Sequence, residues 1–234
     1  MFGYGYGLGY IDQYFILLIV PAMIFSLVMQ IMVKSTYRKM SRVPNKYGLT
    51  GAEAAARVLR WGGAEGVRIE HVNGTLSDHF DPRSRTIRLS SGVYSSATVA
   101  AVGIAAHEAG HAVQYAKRYV PVKLRNAILP ACNIGSMLGM PLVVIGFAVQ
   151  IFELVTLGLI LFGLVAVFQL ITLPVEFNAS RRALQAIEAQ DLLDGQEYKG
   201  ARKVLRAAAM TYVAALVVSI ANLLRLLLRF RRRN

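Results

Sequence analysis

The sequence predicts a mainly α-helical multi-pass membrane protein carrying a small α+β domain, a short hairpin followed by a helix with the spacing H-E-x-x-H. Three observations predict it. Long charge-free apolar runs recur along a 234-residue chain that is 55% hydrophobic, and the mean hydropathy of +0.46 exceeds that of a typical soluble domain. Lysine and arginine gather at the ends of those runs and give a formal net charge of +13. In a membrane protein such clusters mark cytoplasmic loops facing anionic lipid. Between the first and second apolar runs, residues 34–125 change to the patterning of a folded domain, with capping, strand and turn signals.

Residues 1–13 alternate glycine with tyrosine and leucine. This reads as a flexible arm whose tyrosines suit a membrane interface, without the basic n-region of a signal peptide. Residues 14–33 are charge-free and match the roughly 20 residues a bilayer-crossing helix needs, giving transmembrane helix 1, which Pro21 could kink. Lys34, Arg38, Lys39 and Arg42 follow, which puts that end in the cytoplasm and the N-terminus outside. Residues 34–125 are then a cytoplasmic α+β domain. Its first part, 41–51, is a polar linker. Thr50 caps a helix over 51–61, with Glu53 completing a capping box. Strands are expected at 67–72, 76–80 and 86–90. Asn73-Gly74 signals a two-residue hairpin turn, and Asp81-Pro82-Arg83-Ser84 a second turn. The H-E-x-x-H helix runs over 97–116, with Ser95 or Ser96 as its N-cap.

Lys117, Arg118, Lys123 and Arg125 form a second basic cluster ahead of transmembrane helix 2 at 133–152. Gly135 and Gly139 have G-x-x-x-G spacing, which lets a partner helix approach closely. Glu153 and Thr156 mark a turn, and 157–175 is transmembrane helix 3. The outer loop of this hairpin carries no Lys or Arg, as its side requires. Pro174 ends the apolar run, and 176–206 returns to the cytoplasm as helices, the second capped by Asp194 and Glu197. Residues 207–228 are a transmembrane or interfacial helix 4. A fourth span puts the basic tail, 229–234, outside, against the charge rule, whereas an interfacial helix lets its basic end snorkel to headgroups. The near-spanning length and weak amphipathicity favour the span. The lone cysteine, Cys132, sits in an apolar stretch and reads as a small hydrophobe.

His107, Glu108 and His111 carry the chemistry. Residues four apart share a helix face, so both imidazoles can reach one zinc ion. Glu108 lies about 100° round the helix from His107, beside the metal, placed to take a proton from the attacking water. A catalytic zinc keeps three protein ligands, so a third donor is needed. The metzincin extension is missing, since Gln114 stands where its glycine belongs. His71 and His79 lie upstream, but Glu176, downstream and at the membrane surface, is the better candidate. Ser180, one turn beyond Glu176, would face the same site and could hydrogen-bond a ligand.

The H-E-A-G-H helix, the later E-F-N-A-S-R-R-A and the D-H-F-D-P turn at 78–82 together resemble the bacterial integral-membrane neutral zinc metallopeptidases (the YugP type) over nearly the whole chain. The second motif is also distantly similar to the E-x-x-A-D pattern of membrane heat-shock and CAAX-prenyl zinc proteases. The resemblance implies His107, His111 and Glu176 as zinc ligands and Glu108 as catalytic base. Where those relatives have Asp, this chain has Ser180. The implied function is a membrane-embedded zinc-dependent endopeptidase acting on membrane or membrane-associated proteins. Its mechanism would be metal-assisted hydrolysis, with His79, Tyr94 and Arg181 as candidate oxyanion stabilisers.

The alternative is a catalytically silent zinc-binding membrane scaffold or adaptor. Structural zinc is usually closed by four protein ligands, often cysteines, which are missing here. A site-2 type intramembrane protease would carry its motif within a span, and Leu193-Asp194-Gly195 is better explained as a helix cap. Nucleic acid is excluded as a partner, because the basic residues flank spans and do not form one face with aromatics. The expected partners are a protein or peptide substrate and the lipid bilayer. A membrane-protein partner or homo-oligomer is left open. The expected location is the cell membrane, with the active site on the cytoplasmic side.

Overall fold

The computed structural model describes residues 12–231. The glycine-tyrosine arm up to residue 11 and the last three residues of the basic tail lie outside them. Two compact units emerge. One draws on the chain up to Val28, Pro130–Gln169 and the segment from Ala214 onward; the other comprises Met29–Leu129 and Leu170–Val213. Among the described residues, four helices are long and apolar enough to cross a membrane. The chain is a helical membrane protein with a small α+β domain.

A π-helical turn, Phe15–Ile19, leads into α1, Val20–Met40. In the first unit, Ile16 and Leu17 of the π-helical turn and Met23 and Ile24 of α1 are more than half exposed, the pattern of a lipid-facing surface. α2, Gly51–Gly62, begins with the predicted capping box, Thr50 accepting from the Glu53 amide and Glu53 from the Thr50 amide. Strands β1, Arg68–Val72, β2, His79–Asp81, and β3, Thr86–Ser90, form a sheet in the order β1-β3-β2. β1 is parallel to β3 and β2 antiparallel to it.

The hairpin expected at Asn73-Gly74 therefore does not form. The Asp78 carboxylate accepts from the Ser90 amide and hydroxyl, at 2.7 and 3.0 Å. That anchor carries the chain past the end of β3, so β2 joins the opposite edge. The hairpin that does form is β2–β3, closed by the Asp81–Ser84 turn. Asp81 accepts from the Arg83 amide and the Ser84 hydroxyl. The Ser84 hydroxyl first, then the Arg83 amide and Arg88, hold its carboxyl well below the usual aspartate range.

A short α3, Ser91–Tyr94, precedes α4, Val99–Ala116. Its cap is Thr98, accepting from the Ala101 amide, and not Ser95 or Ser96. The carbonyls of Ser96 and Ala97 instead accept from Gly51 and Asn45 and hold those two residues outside the helix. α4 ends in a Schellman motif: the Tyr119 amide donates to Gln114 and the Arg118 amide to Tyr115. Arg118 takes the left-handed position at φ +52° that glycine usually fills. Arg85, closing the β2–β3 loop, does the same at φ +50°.

α5 is one helix, Val120–Ala148, and α6 another, Phe152–Ala189. The turn between them is at 149–151, where Gln150 has φ +60°, and not at Glu153 and Thr156. Pro130 and Pro141 lie inside α5, and Pro174 inside α6, so the expected break after 175 is absent. Proline removes one backbone hydrogen bond. Unwinding in an apolar environment would leave several polar groups unsatisfied, so the helix continues. α7 runs from Gly195 to Arg231, capped by Asp194 and Glu197 as expected.

In the first unit, Gly135 and Gly139 face α6. A Cβ on Gly135 would lie 2.4 Å from the Leu161 carbonyl oxygen, and one on Gly158 would lie 2.7 Å from that of Gly139. The partner of the G-x-x-x-G pair is thus a helix of this same chain. Also in that unit, Asp12 pairs with Arg225 and Arg229 at 3.4 and 3.7 Å. The second unit has a conventional core in which Val58, Ile87, Leu89, Val102 and Ile187 are fully buried between α2, the sheet, α4 and α6.

Candidate metal centre

α4 is built of small residues, and this decides how near its neighbour comes. Ala105, Ala106, Ala109 and Ala112 are buried. A Cβ on Gly110 would lie 2.6 Å from the Ala179 carbonyl oxygen, so α6 rests on α4 backbone to backbone at that point. Glu176 and Ser180, one turn apart on α6, then face His107 and His111.

The ligand-type atoms of His107, His111 and Glu176 lie within 4.8 Å of one another, and this is the one such group of three among the described residues. Glu176 Oε2 is 3.4 Å from His107 Nε2 and 3.5 Å from His111 Nε2. That oxygen is buried and accepts no well-formed hydrogen bond among the described residues. Glu176 Oε1 lies 3.7 Å from Arg125 Nη1.

The surrounding network assigns the tautomer of His111. Gln114 Nε2 donates to the Val175 carbonyl at 2.7 Å and to Asn178 Oδ1 at 3.0 Å. Its amide is thereby fixed, and Oε1 is left to face His111 Nδ1 at 3.0 Å. An amide oxygen only accepts, so Nδ1 carries a proton, and Nε2, the nitrogen facing the Glu176 carboxylate, is the one whose lone pair can bind a cation. Lone pair against carboxylate is repulsive unless a cation lies between them. Two imidazoles and a carboxylate suit zinc, and the residues present fit that ion. A proton can serve as that cation: burial opposes an imidazolium at His111, but the Glu176 carboxylate and the Glu108 charge outweigh it and raise its pKa.

Ser180 Oγ lies 3.1 Å from His107 Nδ1. Glu108 is buried and, with His107, lines two cavities at the cluster. One, of about 210 Å³, is bounded by His79, Gln114 and Arg125. The other, of about 170 Å³, has largely apolar walls, including Ile104, Val204 and Ala208. His79 is exposed at the rim, its Nδ1 2.8 Å from the Ser77 carbonyl. His71 is held by Ser91 and packs edge-on to Tyr94, outside the cluster. Neither Tyr94 nor Arg181 lines these cavities.

Sequence reasoning missed Tyr212, Gln114, Asn178 and Arg125. Tyr212 lines both cavities. Its one signal is that it is the sole tyrosine in the apolar run 207–224. Gln114 is fully buried, an unusual state for glutamine, but only the fold reveals it.

Residues 15–231 match the family model described as "Putative neutral zinc metallopeptidase". The chain is 44% identical over 216 residues to the Bacillus subtilis (strain 168) protein titled "Putative membrane protease YugP", covering 92% of this chain and 96% of that one. No solved structure matches the chain. With the family model matching almost from end to end, and a relative so similar across its own full length, the chain belongs to this neutral zinc metallopeptidase family.

Proposed function

We propose that the chain is a membrane-embedded zinc-dependent endopeptidase that hydrolyses peptide bonds of membrane or membrane-associated proteins. The observation that carries this is the convergence of His107 Nε2 and His111 Nε2 on the buried, otherwise unsatisfied Glu176 Oε2, with Glu108 beside them. His107, His111 and Glu176 would hold the ion. When bound, zinc supplies the Lewis acidity that polarises a scissile carbonyl and acidifies the attacking water. Glu108 takes that water's proton and returns it to the leaving amine. Gln114 and Ser180 keep the two imidazoles oriented through their Nδ1 atoms. Tyr212 and His79, at the cavity walls, are placed to donate to the developing oxyanion.

β2 is an edge strand, and its residues His79 and Phe80 line the site cavity. An extended substrate can add to that edge and pass over Glu108. The basic clusters at 34–42 and 117–125 support a cytoplasmic active site. The pairing of Asp12 with Arg225 and Arg229 supports a spanning α7, because it gives the arginines at its far end a counter-charge at the start of the first span.

The decisive comparison is between Glu108→Gln and Glu176→Ala. The first should retain zinc and lose proteolysis of membrane substrates. The second should lose zinc as completely as His107→Ala does, while Glu188→Ala keeps it. Full zinc occupancy in Glu176→Ala would reject the ligand assignment, and normal cleavage by Glu108→Gln would reject the base. Single cysteines at Ser84 and Gly195 should be shielded from an impermeant thiol reagent in intact cells, and labelling of either would reject the cytoplasmic site.

A further inference from the structure

A cavity of about 630 Å³ in the second unit is separate from the one at the metal ligands. It adjoins that one, and Phe80, Gln114, Tyr115, Val122 and Asn126 line both. Arg85, Arg118 and Lys123 also line it, against one carboxylate, Glu65. All three cations are exposed, and none forms an ion pair among the described residues.

Two of these cations, both arginines, occupy left-handed backbone positions, φ +50° at Arg85 and +52° at Arg118. Glycine is the favoured residue in both settings, the end of a hairpin loop and the position after a Schellman helix end. A long branched cation there makes the backbone less favourable than glycine would. The two sites come from different loops, yet their side chains border one cavity. What joins the two positions is the cavity and its charge, three cations against one carboxylate.

We propose that this cavity is a subsite for acidic side chains of the substrate, reading Asp or Glu on one side of the cleaved bond through Arg85, Arg118 and Lys123. This rests on the peptidase reading for its meaning, but binding tests it separately. A peptide lying along the β2 edge passes from the reactive cavity into this one without leaving the shared wall. An anionic lipid headgroup shares the carboxylate's charge, but it has no need of a cavity continuous with the reactive groups.

The test uses the full-length Glu108→Gln protein in neutral detergent and a fluorescent peptide carrying a run of Asp and Glu, followed by anisotropy. The acidic peptide should bind roughly tenfold tighter than its Asn/Gln counterpart, and added salt should narrow the gap. Arg85→Gly with Arg118→Gly should abolish the preference while leaving the melting temperature unchanged or higher, because glycine suits both positions. Arg60→Gly, away from the cavity, should not alter the preference. Arg85→Glu, Arg118→Glu and Lys123→Glu together should turn the preference toward basic peptides.

Equal binding of acidic and neutral peptides, or a preference surviving the double glycine variant, would overturn the proposal. So would equal loss, in that variant, of binding to vesicles of phosphatidylcholine and phosphatidylglycerol in equal parts, which would assign the cavity to lipid. With Glu108 intact, cleavage that ignores substrate charge sinks this subsite and leaves the peptidase standing. Charge-dependent binding without any cleavage does the reverse.

Discussion

Glycine does the same thing in the two units for different ends. In the first unit, Gly135 and Gly158 bring α5 and α6 into backbone contact where the buried apolar clusters are small, such as Val143, Val155 and Leu159. With lipid on the outside there is little hydrophobic drive between helices, so close packing has to supply the association. In the second unit, Gly110 brings α4 and α6 equally close, but beside a large buried core that would hold those helices together anyway. There the close approach is not needed for cohesion. It sets the position of Glu176 against two histidines. One kind of contact therefore holds a membrane hairpin together in one unit and fixes the position of a metal ligand in the other.

The largest expected effect comes from breaking this symmetry. Gly110→Ala forces a Cβ against the Ala179 carbonyl, an overpacking cost of about 1–3 kcal/mol. It should push Glu176 off the histidines and empty the site of zinc, read by metal content per folded chain. Gly135→Ala makes a similar clash with Leu161 and should lower thermal stability in detergent while zinc stoichiometry stays at the wild-type value. Equal zinc loss in both variants would dissolve the distinction drawn here.

A smaller effect should follow from Gln114→Leu, which removes the acceptor that fixes His111 and the side-chain donor to the Val175 carbonyl. Zinc affinity should fall by roughly 10–100-fold, measured by chelator competition, with the helices still packed. Ser180→Asp should move affinity the other way by putting a carboxylate on His107 Nδ1. If Gln114→Leu binds zinc as wild type does, the tautomer assignment is wrong.

The smallest effect is remote from the metal and sharpens the comparison by testing the second unit alone. The Asp81 carboxyl has a depressed pKa in the folded chain, so its charged form stabilises the β2–β3 turn. That contribution is present above the ordinary aspartate range and is lost as the pH falls through the lowered folded value. Thermal melts of Asp81→Asn should lose this part of the acid-range dependence. An unchanged pH profile would show that the turn gains nothing from the charge.

Much of this arrangement was legible in the residues because it is local. Thr50 with Glu53, and Asp194 with Glu197, announce their helices through side chains three apart. The apolar runs announce the spans by length alone, and H-E-A-G-H announces its own face. What failed depended on distant partners. Asn73-Gly74 is a good turn signal, but Asp78 binding to Ser90 outweighs it and reorders the sheet. Ser95 and Ser96 are good caps by type, yet their segment is tied to 45–51, and Thr98 caps instead. Pro174 reads as a breaker, but the helix runs through it. Gln114 and Tyr212 carry no pattern of their own, because each is placed by a contact made across the fold.

The two unspecified letters of H-E-x-x-H are not free in this chain. Ala109 is fully buried, and Gly110 touches the backbone of the helix that brings the glutamate, so both are limited to small side chains. A pattern written H-E-small-Gly-H, followed by a distant Glu with Ala three residues after it, carries more information than the bare motif. In this chain a bulky residue at position 110 would hold the glutamate-bearing helix off the two histidines.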